Sequence, residues 1–289
     1  MLYAGVLLCL VGYKSEAQVV AGSSATAAFN HIYNFNFGRA DSIIQLEMPR
    51  AKDSAYWSLL SAYVSWSQIL AGNLEDEYWN NRFHTDIRRA KQILKASDLT
   101  DSDRLFYYII VHAFKTRHEL LNDNYINAAT DLNICVDQIA ESFGRESEFE
   151  PLYLTSGLYY YFMQEAYDEY LLMRPYLLFY PDGDKDKGLR YLAKHTSSTD
   201  PFLFNESNYF LMRIYFDLEK DFEQALHYAN TLTKANPNNP IYALYEYKIS
   251  KEINPKAAQG LRETFEKKIG SMSRITQSQK TFFIAQLDE

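Results

Sequence analysis

An all-α fold of antiparallel helix hairpins is what the sequence predicts, and three observations predict it. Apolar residues recur at helical rather than alternating spacing along almost the whole chain from Ala27 onward. The eight prolines, from Pro49 to Pro255, fall between or at the edges of these periodic segments, where helices start and stop. Only 11 glycines in 289 residues leave little room for the many tight turns of a sandwich or barrel.

Taken in order, Leu2 to Val11 is a run of ten apolar residues, too short to span a bilayer. Ser15 and Ala17 follow it as an A-x-A-like cleavage pattern, so residues 1–17 read as a secretory signal, although no Lys or Arg precedes the run. Cys9 falls within it, and Leu8 stands where a lipid-attachment motif wants a small residue. Removal of the segment would leave Cys135 alone, with no intramolecular disulfide to form. Residues 18–26 read as a short tether and 27–289 as a single helical domain. No later apolar run is long enough to cross a membrane.

The spacing predicts helices over 25–36, 39–47, 53–71, 76–96, 102–122, 125–142, 151–171, 185–195, 203–218, 222–235, 240–252, 255–268 and 273–286. Thr100-Asp101-Ser102-Asp103 offers capping oxygens ahead of Leu105-Phe106-Tyr107, and Asp182 or Asp184 offers one to the helix carrying Leu189 and Leu192. Asn236-Pro237-Asn238-Asn239-Pro240 forces a turn. Connections this short make consecutive helices antiparallel neighbours.

Within 203–240, Lys220-Asp221-Phe222-Glu223-Gln224-Ala225-Leu226 followed by Pro237-Asn238-Asn239 resembles the second half of a tetratricopeptide repeat. Tyr209 and Phe216 stand where the first helix of that repeat carries its aromatic residues. Arg213 departs from the pattern, which prefers a small residue there. Asn124-Tyr125-Ile126-Asn127-Ala128 and Asn36-Phe37-Gly38-Arg39-Ala40 are weaker copies, unevenly spaced. Gly157-Leu158-Tyr159-Tyr160, with the segment from Gly183-Asp184 through Gly188-Leu189 to Leu192, is similar to a divergent, exported bacterial subgroup of the same family. The resemblance implies an α-solenoid whose first helices line a concave, ligand-binding face.

Chemical motifs are sparse. His118 opens a zinc-protease-like motif, but Asn122 occupies the place of the second histidine. Asp182, Asp184 and Asp186 alternate as in a calcium loop, yet Gly188 comes one place late and Ala193 stands where a bidentate Glu belongs. Glu146, Glu148 and Glu150 are neighbours in sequence, not a pair opposed across a cleft. No nucleophile elbow, phosphate loop or Cys-x-x-Cys is present, so neither an enzyme nor a cofactor is expected. A formal charge of -8 without a basic stripe argues against nucleic acid.

The unusual feature is 24 tyrosines. Tyr153, Tyr159, Tyr160, Tyr161, Tyr167 and Tyr170 cover more than one face of their helix, so they are either sandwiched between neighbours or partly exposed in a groove. The repeat register makes Phe210, Arg213, Asp217, Lys115, Arg117, Tyr159 and Tyr160 the groove candidates. The expected function is an exported scaffold, periplasmic or associated with the outer membrane, holding a protein or peptide partner in the cell envelope. The alternative is a glycan-binding accessory protein of an outer-membrane uptake system, with a platform made largely of tyrosine because Trp57, Trp66 and Trp79 are the only tryptophans.

Overall fold

A computed structural model describes residues 23–51, 54–96 and 101–288. The proposed signal, Cys9 included, and residues 18–22 of the tether lie outside these. Among the described residues the chain is all α-helical, with no strand. Its elements are α1 (Ser23–Tyr33), α2 (Phe37–Glu47), α3 (Ser54–Leu70), α4 (Glu77–Lys95), α5 (Ser102–Leu121), α6 (Tyr125–Ser142) and α7 (Leu152–Glu169). There follow α8 (Arg174–Leu177), α9 (Lys185–Ala193), α10 (Pro201–Arg213), α11 (Phe222–Ala235), α12 (Pro240–Ile253), α13 (Pro255–Ser271) and α14 (Gln277–Ala285).

The predicted helices are all present, with ends displaced by a few residues, as fraying and capping lead one to expect. α1 begins at Ser23, inside the segment expected to be a tether. The helix expected to run unbroken to 218 is α-helical only to Arg213, and Ile214–Leu218 winds as a π-helix. A 3-10 turn, Leu171–Met173, and the four-residue α8 add structure where none was expected.

Side-chain oxygens set several starts. Asp76, Asp184, Asp200, Asp221, Asn239 and Asn254 each accept from backbone N–H groups of the helix they precede. Thr276 and Gln279 form a reciprocal capping box. Asp101 caps no N–H; its carboxylate lies 3.5 Å from Arg104 instead.

Consecutive helices pair as hairpins: α1 with α2, α3 with α4, α5 with α6, α10 with α11, and α12 with α13. α7 pairs with α9 across the insertion that holds α8. The first helices form an inner layer in which α1 touches α3, α3 touches α5, α5 touches α7 and α7 touches α10. α10 in turn touches α1, so the inner layer closes into a circuit. Further along, Phe283 of α14 lies 6.2 Å from Phe35, and Gln279 donates to Gln68. The C-terminal helix thus returns to the first hairpins.

Aromatic rings fill the middle of the circuit. Phe29 of α1 meets Tyr63 of α3 and Phe202 of α10, with centroids 6.0 and 5.5 Å apart. Tyr63 meets Phe114 of α5, and Phe202 meets Phe106. Each such ring removes a large apolar area from water and gains from tilted contact with its neighbours. The concave face expected to be open is therefore the core of the molecule.

Candidate functional site

Where α1, α3 and α10 meet, the circuit is pinned by a buried polar cluster. Glu206, on α10, is buried, and its Oε1 accepts from the hydroxyls of Tyr63 (2.5 Å) and Tyr33 (3.2 Å). Burial above all holds both phenols well above their ordinary range, so they remain protonated donors. Asn205 accepts from Asn236 and from the Tyr242 hydroxyl, and Asn239 donates to the Tyr33 carbonyl. The Asn239–Tyr33 bond joins residues 206 positions apart in sequence and ties the first hairpin to the turn between α11 and α12.

Beside this cluster is a cavity of about 50 Å³, lined by Tyr33, Tyr63, Trp66, Arg117, Glu206 and Tyr242 among others. Ligand pockets commonly run from about 300 Å³ upward, so it has room only for a little water. An outer cleft of about 370 Å³, lined by Ser61, Tyr78, Arg82, Asp86 and Arg89, is larger. Its principal cation is already engaged: Arg82 grips Asp41 through two bonds of 2.5 and 2.8 Å and lies 3.8 Å from Asp86. Burial raises the Asp86 carboxyl, while Ser61 and Arg82 act against the rise.

The groove candidates separate into four places. Arg117 and Phe210 come together: the guanidinium lies 5.8 Å from the Phe210 ring and 5.0 Å from that of Trp66. Arg213 is bonded to Asp217 and to the Tyr209 hydroxyl, and stacks 4.9 Å from Tyr245. Lys115 is 2.6 Å from the buried Asp131, which also bonds His112 at 2.7 Å. Burial lowers His112 to about 4 despite that carboxylate. Tyr159 and Tyr160 are buried against Phe143, at centroid distances of 5.0 and 4.7 Å.

His118 is buried too, with Nε2 2.6 Å from Asn80 Oδ1 and its ring stacked on Phe83. Among the described residues no group of three His, Cys, Asp or Glu side chains is arranged to hold a metal. Asp184 serves as the cap of α9, and Glu146 turns inward to accept from Gly144 N–H and Ser156. Burial raises the thiol of Cys135 to about 12, which leaves it a weak nucleophile.

What the molecule offers to solvent lies elsewhere. From the end of α7 to Tyr180 the chain projects an apolar ledge. Leu172 is 97% exposed, Phe179 85% and Leu178 72%, with Tyr167, Tyr170, Leu171 and Tyr176 exposed beside them. The ledge is anchored rather than loose. The Tyr176 hydroxyl donates to Asn133 on α6 (2.8 Å) and lies 3.0 Å from that of Tyr180, while Tyr159 donates to the Pro181 carbonyl (2.9 Å). Arg174 is turned onto its own segment, donating to the carbonyls of Tyr167 and Asp168. Ile126, one face-repeat before Asn133 on α6, is 82% exposed and extends the apolar surface.

Helical periodicity singled out Tyr167 and Tyr170 but missed the ledge from Leu171 to Tyr180. Its signal is the run Tyr170-Leu171-Leu172-Met173-Arg174-Pro175-Tyr176-Leu177-Leu178-Phe179-Tyr180, apolar yet broken by proline, and so unable to hide one face in a long helix. Among the described residues no helix is long and apolar enough to cross a membrane. Compared with known proteins, the chain matches no family model, no curated protein and no solved structure.

Proposed function

We propose that the chain is an exported, tetratricopeptide-like interaction scaffold that docks a polypeptide partner in the cell envelope, and that it is not an enzyme. The observation that carries this is the anchored apolar ledge from Tyr167 to Tyr180. It leaves Leu172, Leu178 and Phe179 in water at a hydrophobic cost that a partner would remove. A filled interior supports the same view: with the inner helices packed on one another, recognition falls to the outside. No observation favours the glycan alternative, since Tyr159 and Tyr160 are buried.

The test places a photo-crosslinking amino acid at Leu172 in the cells that make the protein, and a control at the exposed Glu263 of α13. Recurrent crosslinking of one envelope polypeptide from Leu172 and not from Glu263 is the expected result. Absence of any polypeptide adduct at Leu172 would sink the scaffold reading.

A further inference from the structure

We infer that the partner of the ledge is a basic amphipathic polypeptide segment, with apolar residues seated on Leu172, Leu178 and Phe179 and Lys or Arg side chains against an acidic rim. This rests on the scaffold reading and specifies its ligand. Between Phe162 and Asp184 the chain carries five carboxylates, Glu165, Asp168, Glu169, Asp182 and Asp184, against a single cation, Arg174. Asp168, Glu169 and Asp182 are exposed and form no ion pair among the described residues. Asp137, on the α6 face shared by Ile126 and Asn133, is likewise exposed and without an ion pair among them.

The cations nearby are already engaged. Lys185 is 2.5 Å from Glu165. Lys187 sits 3.6 Å over the Tyr160 ring, and Lys194 4.2 Å over that of Tyr153. Arg174 spends its donors on backbone carbonyls. Exposed carboxylates without an ion pair thus outnumber the cations along the ledge, and that balance sets the sign of what fits it. A second copy would bring an equal acidic rim against this one, and an anionic lipid surface would be repelled in the same way. A segment with apolar residues on one face and cations on the other satisfies both halves of the surface.

The experiment uses the purified chain and two fluorescent amphipathic peptides of matched length, one of Leu and Lys and one of Leu and Glu. The Leu/Lys peptide is expected to bind, more weakly as salt rises, and the Leu/Glu peptide is not. The double variant L172S/F179S, altered only at fully solvated side chains, should bind the Leu/Lys peptide about tenfold more weakly or worse. D168N/E169Q/D182N should abolish the preference between the peptides.

Equal binding of both peptides, or binding unchanged by L172S/F179S, overturns the proposal. So does a self-association, or a retention on phosphatidylcholine vesicles, that L172S/F179S removes, because the occupant is then a second copy or lipid. If the charge preference fails while the Leu172 crosslink persists, only the partner's chemistry falls; if the crosslink is absent, the scaffold reading falls with it.

Discussion

The middle of α7 and the stretch from its last turn through Tyr176 each carry three tyrosines, and the two groups end in opposite environments. Tyr159, Tyr160 and Tyr161 are buried, whereas Tyr167, Tyr170 and Tyr176 face water. What differs is the partner opposite. α9 comes against the first half of α7 through glycines: a Cβ on Gly188 would lie 2.6 Å from Tyr161 N, and one on Gly157 3.0 Å from Leu192. The Asp184 N–H then bonds the Tyr160 carbonyl at 2.9 Å. That approach stops at Gly183, which abuts Gln164. Beyond it the tyrosines have only their own loop and the edge of α6. A tyrosine's fate is therefore decided by whether another helix can come close enough to cover it.

The comparison is broken most directly in the aromatic centre. Phe106→Ala should cost about 3 to 5 kcal/mol of stability, because the ring is buried between Phe149 and Phe202 and the circuit cannot collapse around the gap. Urea unfolding of the purified chain measures it; a loss below about 1 kcal/mol would mean the inner layer is not the stabilising core.

Acid should act next. Burial, with a smaller contribution from His84, lowers His118 to about 4, while in the unfolded chain it titrates near 6.5. The unfolded chain therefore binds more protons between those values, so the contribution is intact above about pH 6.5 and is lost as the pH falls toward 4. His118 should account for a loss of order 2 to 3 kcal/mol between about pH 7 and pH 4.5, with buried His112, also lowered to about 4, adding to it, so His118→Phe should reduce but not remove the slope in urea midpoints measured across the range.

Gly188→Ala probes the seam that buries the first tyrosine group. Its new methyl meets backbone at Tyr161 and Gly157, which cannot yield as a side-chain tip would, so about 1 to 3 kcal/mol should be lost. At the other extreme, L172S/F179S should leave stability within about 0.5 kcal/mol of the parent, since both side chains are already solvated. A large loss there would mean that the ledge is core after all.

Much of this fold was legible because its signals are local. Proline at 201, 240 and 255 opens a helix in each case, and aspartate or asparagine one residue earlier supplies the cap. Ala225, the alanine of the repeat-like segment 220–226, is fully buried. The candidate site was less legible. Phe210 and Arg117 do meet, but Lys115 and Arg213 are engaged with their own chain, and spacing alone could not reveal Asp131 beneath Lys115 or Tyr245 beneath Arg213. The ledge was hidden for the opposite reason, since periodicity detects a face to be covered and carries no sign that a covering element is absent.

By itself, then, the sequence determined which stretches form the long helices, to within a few residues at their ends, and much of the apolar face of each. Those properties follow from the φ of proline, the reach of a capping oxygen and the 3.6-residue period. Only the tertiary structure decided that α1 meets α10, that Glu206 receives the hydroxyls of Tyr33 and Tyr63, and that Leu172 and Phe179 remain in water. The first two depend on contacts between residues more than a hundred positions apart, and the third on where a covering helix stops, and no local pattern encodes either.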